Sequence, residues 1–277
     1  MSKVDNNLNY FFNRDGKALI LACDQGIEHG PVDFNEKNIN PNYILDIATS
    51  GSFTGLIFQK GLAEKYYNNY SGKTKVPLLV KLNGKTSLVK GEPYSPQICS
   101  IKEAVEYGAR GVGYTIYLGS EHEAKIFKEF CEIKREARNY GLPIFVWMYA
   151  RGKVIKNDLK GDVLAYGARV ALELGADVAK MKYNGNVKDL QWMVKSAGKT
   201  KIIIAGGSKA APEKILKEAY DVVHNGAAGM AVGRNIWQSP YPQIMSDALN
   251  AIVLKNSSLE AAISYVKQSI DLNKKKI

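Results

Sequence analysis

Histidine and cysteine each occur only three times in this 277-residue chain. The cysteines, Cys23, Cys99 and Cys131, form no CxxC and no even set. That excludes a disulfide framework or a zinc ribbon and points to small buried thiols in a reducing compartment. The histidines, His29, His122 and His224, are too few and too scattered for an imidazole-rich metal centre. Neither a metal nor a cofactor is expected. Long apolar runs are missing as well. The longest, residues 142–150, falls far short of the roughly 20 residues that span a bilayer. The N-terminus, MSKVDNNLNYFFNRDG, has no apolar segment followed by a small-residue cleavage site. The expectation is a cytoplasmic protein with no membrane partner.

Arginine is scarce too. The formal charge is +11, from 38 basic against 27 acidic residues, but the basic set is 31 Lys and only 7 Arg. Arginine is the side chain that reads phosphate and guanine in bidentate fashion. No basic run interleaved with aromatics occurs either, so nucleic acid is not expected as a partner. A phosphorylated substrate fits the charge better.

What is present is a strict alternation. Short apolar or β-branched runs occupy residues 18–24, 54–60, 76–83, 111–117, 143–150, 176–183, 201–207 and 227–233. Several are continuously apolar, as strands buried on both faces are. Between them lie helical patterns at 43–50, 101–107, 121–140, 163–174, 187–197, 212–224 and 242–253. In the pattern at 121–140, Phe127, Phe130, Cys131 and Lys134 recur at helical spacing, with Glu123, Lys128, Glu132 and Arg135 on the wet side. Gly108, Gly141, Gly175 and Gly226 stand where helices end and strands begin, as left-handed caps do. Eight such units predict a (β/α)8 barrel, typically about 250 residues long. A doubly wound sheet would favour a GxGxxG after the first strand; this chain reads Cys23-Asp24-Gln25-Gly26 there. The prediction is a single domain over 1–277, with an N-terminal extension at 1–17 and a C-terminal helix and frayed tail at 257–277.

Barrel enzymes carry their chemistry at the C-terminal ends of the strands. Strand parity groups Ile20, Ala22 and Asp24 on the first strand and Leu79, Lys81 and Asn83 on the third. It groups Phe145, Trp147, Tyr149 and Arg151 on the fifth, and Val178, Lys180 and Lys182 on the sixth. Lys180 stands out, because a lysine in mid-strand between Ala179 and Met181 is costly to bury. Desolvation lowers its pKa toward neutrality, and a neutral amine is what a Schiff-base nucleophile needs. The plain alternative is an ammonium paired with a carboxylate. Lys182 lies nearer the strand's end and reads as an electrostatic neighbour. Tyr149 is either a satisfied core phenol or a proton shuttle, and Trp147 either packs or orients a carboxylate. Asp24 is a proton acceptor or a structural cap. At the seventh and eighth strands, Gly206-Gly207-Ser208 and Gly233-Arg234 are suited to a phosphate, which barrels often hold at these two loops.

Taken together, CDQGIEHGP (23–31), WMYARG (147–152), GADVAKMKYNG (175–185), AGGSK and VGRNIWQ (232–238) resemble archaeal-type class I fructose-bisphosphate aldolases over residues 10 to 250. The resemblance implies metal-free, reversible cleavage of fructose 1,6-bisphosphate to dihydroxyacetone phosphate and glyceraldehyde 3-phosphate. It puts the Schiff-base lysine on Lys180, the phenolic shuttle on Tyr149, the carboxylate on Asp24 and its indole neighbour on Trp147. Phosphate contacts fall on Gly206, Gly207, Gly233 and Arg234 at one end of the sugar, and on Arg151 and His29 at the other. It also implies a homo-oligomer, a decamer or pentameric ring. Ser208 departs from the family, where many members have proline. Two rivals keep the barrel: a Schiff-base enzyme of aldol transfer, similar to 2-amino-3,7-dideoxy-heptulosonate synthase, and a phosphosugar isomerase that needs no imine.

Overall fold

Apolar runs become strands wherever sequence alternation ends in a turn. They are β1 (Ala18–Cys23), β2 (Gly55–Gln59), β3 (Leu78–Lys81), β4 (Gly111–Leu118), β5 (Ile144–Ala150), β6 (Val178–Met181), β7 (Lys201–Ala205) and β8 (Gly229–Val232). The structure, a computed structural model, describes residues 2–51, 53–70 and 76–275. Each strand pairs in parallel with the next, and β1 pairs with β8, so the sheet closes in sequence order. A doubly wound sheet would reverse its strand order at a switch point, and this one does not. The fold is the expected (β/α)8 barrel. The four glycines expected at helix ends all carry positive φ, from 69° at Gly141 to 95° at Gly226.

Parallel strands covered on both faces build two cores. Inside the barrel, Ala18, Ile20, Ala22, Ile57, Leu79, Phe145, Trp147, Val178, Ile203 and Ala231 form one cluster. The alternate residues, among them Leu19, Leu21, Val146, Met148, Ala179 and Met181, face outward and pack against the helices. Parity therefore orients Asp24, Lys81, Tyr149 and Lys180 with the interior set, as the sequence grouping requires.

The first 17 residues are more than an extension. Phe11 and Phe12 join the interior cluster, and the Phe11 ring meets Phe145 edge-on at 5.2 Å. Glycine makes the room: a Cβ at Gly55 would come within 2.7 Å of the Phe11 ring, and one at Gly111 within 3.0 Å. Asn7 donates to the Gly141 carbonyl at 2.9 Å and Asn13 to the Leu254 carbonyl at 3.1 Å, which ties the segment across the barrel's N-terminal end. At the other terminus the helix Leu259–Lys274 buries Ala262 and Val266. Residues 276 and 277 of the expected tail lie outside the described residues, as does Met1.

One helix has the expected period but a shifted phase. In Glu123–Asn139 the buried stripe is Ile126, Phe130, Ile133 and Ala137, and Cys131 is exposed. Phe127, Cys131 and Lys134 suggest a face one residue round, because the adjacent apolar pairs Ile126-Phe127 and Phe130-Cys131 permit either reading. Cys23 and Cys99 are buried thiols as expected, and Cys131 is the exception. Among the described residues no helix is long and apolar enough to cross a membrane.

Truncating a fully buried Phe leaves a void that the surrounding strands cannot close. Phe11→Ala should therefore lower the unfolding free energy by about 3–5 kcal/mol, measured by urea denaturation. A loss below about 1 kcal/mol, the scale of an ordinary surface substitution, would show that the segment does not plug the barrel.

Candidate active site

The polar members of the interior faces converge at the C-terminal end of the barrel. Asp24 follows β1, Lys81 ends β3, Trp147 and Tyr149 stand on β5, and Lys180 is central in β6. With Arg151, Lys182, Gly206, Gly207, Ser208, Gly233, Arg234 and His29 they line one cavity of about 440 Å³. Every residue singled out from the sequence as a candidate is on that wall.

At its bottom, two ammonium groups share one carboxylate. Lys180 Nζ lies 3.9 Å from Asp24 Oδ1, and Lys81 Nζ lies 3.8 Å from Asp24 Oδ2. All three are nearly sealed from solvent: Lys180 is 6% exposed, Lys81 7% and Asp24 9%. The Trp147 ring is 4.9 Å from the Lys180 nitrogen and 4.8 Å from that of Lys81, within cation–π range of both. Burial pulls the Lys180 amine below its ordinary pKa, against the opposing pull of Asp24. Burial also takes Lys81 down to about 8; Asp24 opposes that shift and Lys180 adds to it. Desolvation lifts the Tyr149 phenol above its ordinary range, Asp24 adding to the rise and Arg151 opposing it.

Sequence parity places Lys81 on a polar strand face without marking it as a site residue. The signal was the one that marked Lys180, a lysine near the end of an apolar strand. Gly113 was also missed: a Cβ there would stand 2.1 Å from the Trp147 ring, so β4 must be bare where the indole lies. No pattern reveals a glycine kept for a ring on the neighbouring strand.

Around the mouth three cations, Arg151, Lys182 and Arg234, have an acidic side chain nearby. Arg151 Nη1 bonds Glu28 Oε1 at 2.9 Å, and the guanidinium lies 4.9 Å over the Tyr149 ring. Lys182 pairs with Asp158 and lies 5.8 Å from the same ring. Arg234 Nη1 is 3.6 Å from Asp33 Oδ1, while the other Asp33 oxygen meets His29 Nδ1 at 2.6 Å. Asp33 thus links His29 to Arg234.

The loops after β7 and β8 are held together by a buried side chain. Asn235 donates to the carbonyls of Gly206 at 2.6 Å and Ser208 at 3.1 Å, and accepts from the Ala210 N–H at 2.8 Å. Gly207 carries φ +64° with open space beside it, so bare backbone faces the cavity. Asn235 sits inside the VGRN motif, yet its role as a clasp is visible only in three dimensions. The proline replaced by Ser208 is not needed for the loop's shape here, since Asn235 supplies the tie.

The cavity is built for a polar ligand. The buried Trp147 Nε1, Gln25 Nε2, Gln59 Oε1 and Tyr183 Oη have no hydrogen-bond partner among the described residues, and all four residues line it. Buried polar groups normally find partners, and these four leave hydrogen-bonding capacity unfilled in the cavity wall. Among the described residues no three His, Cys, Asp or Glu side chains gather as metal ligands do.

Comparison with known proteins agrees with this geometry. A profile for DeoC/LacD family aldolases matches residues 18–239. A class 1 fructose-bisphosphate aldolase of Thermoproteus tenax is 48% identical over 86% of this chain and 90% of its own length. A fructose-bisphosphate aldolase/6-deoxy-5-ketofructose 1-phosphate synthase of Methanocaldococcus jannaschii is 37% identical, over 90% of this chain and 86% of that protein. A solved archaeal fructose-1,6-bisphosphate aldolase, its catalytic lysine covalently bound to the carbinolamine intermediate of the substrate, aligns with a TM-score of 0.85. It is 46% identical over 90% of this chain and 99% of that one.

Burying Lys81 should weaken the fold in a pH-dependent way. Its folded pKa, about 8, lies below the ordinary 10.5, so the unfolded chain binds the extra proton between those values. The penalty is full below pH 8 and fades as pH rises toward 10.5. Lys81→Met should therefore raise the unfolding free energy at pH 7, by up to about 3 kcal/mol. The gain should shrink steadily in denaturant titrations between pH 8 and pH 10. A gain that does not vary with pH would mean that packing, not charge, is responsible.

Proposed function

The chain belongs to the DeoC/LacD family of aldolases, and on that footing we propose that it is a metal-independent class I fructose-1,6-bisphosphate aldolase. The observation that carries the reading is Lys180: a sealed amine, lowered by burial, beside Asp24 and open to a cavity whose rim is cationic. A phosphorylated ketose supplies the anionic ends for that rim.

The chemistry follows from the groups in place. The neutral Lys180 amine attacks the C2 ketone, forming a C–N bond and a carbinolamine. Water leaves with a proton supplied by Tyr149, whose raised pKa keeps the phenol protonated as a donor. The resulting iminium draws in the electron pair of the C3–C4 bond. That bond breaks as the C4 hydroxyl loses its proton to Asp24 or Tyr149, releasing glyceraldehyde 3-phosphate. The enamine is reprotonated at C3, and water adds back to free dihydroxyacetone phosphate and Lys180. Trp147 forms a flat wall with its N–H free, and Lys81 holds Asp24 from the far side. Phosphate contacts from Gly206, Gly207, Ser208, Gly233 and Arg234 suit one end of the sugar. Arg151, with Lys182 as a neighbouring charge, suits the other, the end to which the resemblance also assigns His29.

The double name of the Methanocaldococcus jannaschii relative favours one second reading, a related Schiff-base enzyme acting on another sugar phosphate through the same imine. Cytoplasmic location, a single domain over 1–277 and assembly into a decamer or pentameric ring belong to the proposal. The free thiols of Cys23 and Cys99 support the first. Tyr166 and Trp192, exposed on two adjoining helices, support the last.

Borohydride in the presence of dihydroxyacetone phosphate should reduce the imine to a stable secondary amine, seen by mass spectrometry on the peptide carrying Lys180. An unlabelled peptide would rule out the imine and leave an isomerase. In a coupled assay, cleavage of fructose 1,6-bisphosphate should survive EDTA and vanish in Lys180→Met. Tyr149→Phe should slow turnover by roughly 10²–10⁴-fold, the usual worth of a positioned proton donor.

A further inference from the structure

Arg151 and Glu28 form an ion pair at the mouth that the mechanism above does not use. Arg151 is firmly rooted. Its own N–H and that of Gly152 both donate to the Leu118 carbonyl, at 3.1 and 3.2 Å. Gly152 crosses the backbone of Gly119 so closely that a Cβ would stand 1.5 Å from the Gly119 oxygen. The guanidinium rests over Tyr149 and, at 5.9 Å, over Tyr117. Glu28 is held differently. Its carbonyl accepts from the Ser87 N–H at 2.9 Å, but among the described residues its carboxylate hydrogen-bonds Arg151 alone. That side chain is partly exposed and turns about three bonds.

The corresponding pair on the other wall is locked. Asp33 has His29 on one oxygen, and its backbone carbonyl accepts from Gln238 at 2.6 Å. The next residue, Phe34, stacks on Trp237 at 5.2 Å. Asp33 stands 3.6 Å from Arg234, beyond hydrogen-bond range, and among the described residues no hydrogen bond takes up the Arg234 side chain, which leaves its donors for an anion. Of the two arginines, one is open and one carries a movable carboxylate.

We propose that Glu28 is an internal stand-in for a phosphate, a carboxylate that occupies Arg151 and must swing away before a second anionic end of the substrate can bind there. The inference rests on the sugar-phosphate reading of this cavity and names what tunes it. A ketose with phosphate at both ends displaces Glu28; a ketose whose single phosphate goes to the β7 and β8 loops leaves it in place. Glu28 therefore sets how strongly the site prefers a bisphosphate over a monophosphate. It acts through Arg151 and does not touch the reacting atoms.

The test is calorimetric binding of fructose 1,6-bisphosphate, fructose 1-phosphate and fructose 6-phosphate to the full chain. Lys180→Met serves as the background, so that no imine forms. Adding Glu28→Gln, which keeps shape and removes charge, should tighten the bisphosphate by about three- to tenfold, the scale of releasing one partly exposed ion pair. It should tighten one monophosphate similarly and leave the other behind. Weaker bisphosphate binding would overturn the inference, because Glu28 would then be holding Arg151 in place. Equal gains for both monophosphates would overturn it too, as a general charge effect. If the background variant binds none of the three sugars, the sugar-phosphate reading itself falls and takes this inference with it.

Discussion

A single carboxylate between two buried ammonium groups is the constraint from which the rest of the site can be derived. Each lysine in so dry a place is unfavourable alone, and Asp24 can balance only one of them. The remaining positive charge is met by the face of Trp147, within 5 Å of both nitrogens. The indole in turn needs a strand without side chain beneath it, which Gly113 provides. Asp24 depends on β1, whose place is set by pairing with both β2 and β8. A proton balance at one amine thus reaches through an aromatic ring and a bare glycine to the closure of the barrel.

Much of this was legible in the chain. All eight strands follow from apolar runs, because strands buried on both sides need continuous apolar residues. Parity groups the residues that share a face, since side chains alternate along a strand, but which face turns inward is decided by closure of the barrel. Lys180 stands out because burying a charge in such a run is expensive. Lys81 obeys the same logic, but its run ends sooner, in Leu82-Asn83, and reads as a strand end where lysine is ordinary. Gly113 and Asn235 could not be read, because what they serve lies on another strand or loop. The helix at 123–139 shows the limit of periodicity: the spacing of apolar residues fixes a period, while the buried face is chosen by what the helix packs against.

The rim and the floor of the cavity handle charge differently. At the floor, pairing is incomplete and the amines are pushed toward neutrality, which suits nucleophilic attack. At the rim, Arg151 and Lys182 are paired with carboxylates in reach of water, while Arg234 stands apart from Asp33. The same +11 chain carries both arrangements, and depth separates them. A lysine at the rim can bind an anion; one at the floor can become a nucleophile.

The aromatic plug at the opposite end bears on how such a chain comes together. Phe11 precedes in the chain the strands β2, β4 and β5 that form its seat, and the barrel around it closes only where β8 pairs with β1. The segment is therefore made before the strands that bury it. Without them Phe11 and Phe12 have no apolar seat, and exposed apolar surface is what chaperones and aggregation act on. Sealing the floor from below thereby joins completion of the fold to concealment of its stickiest end.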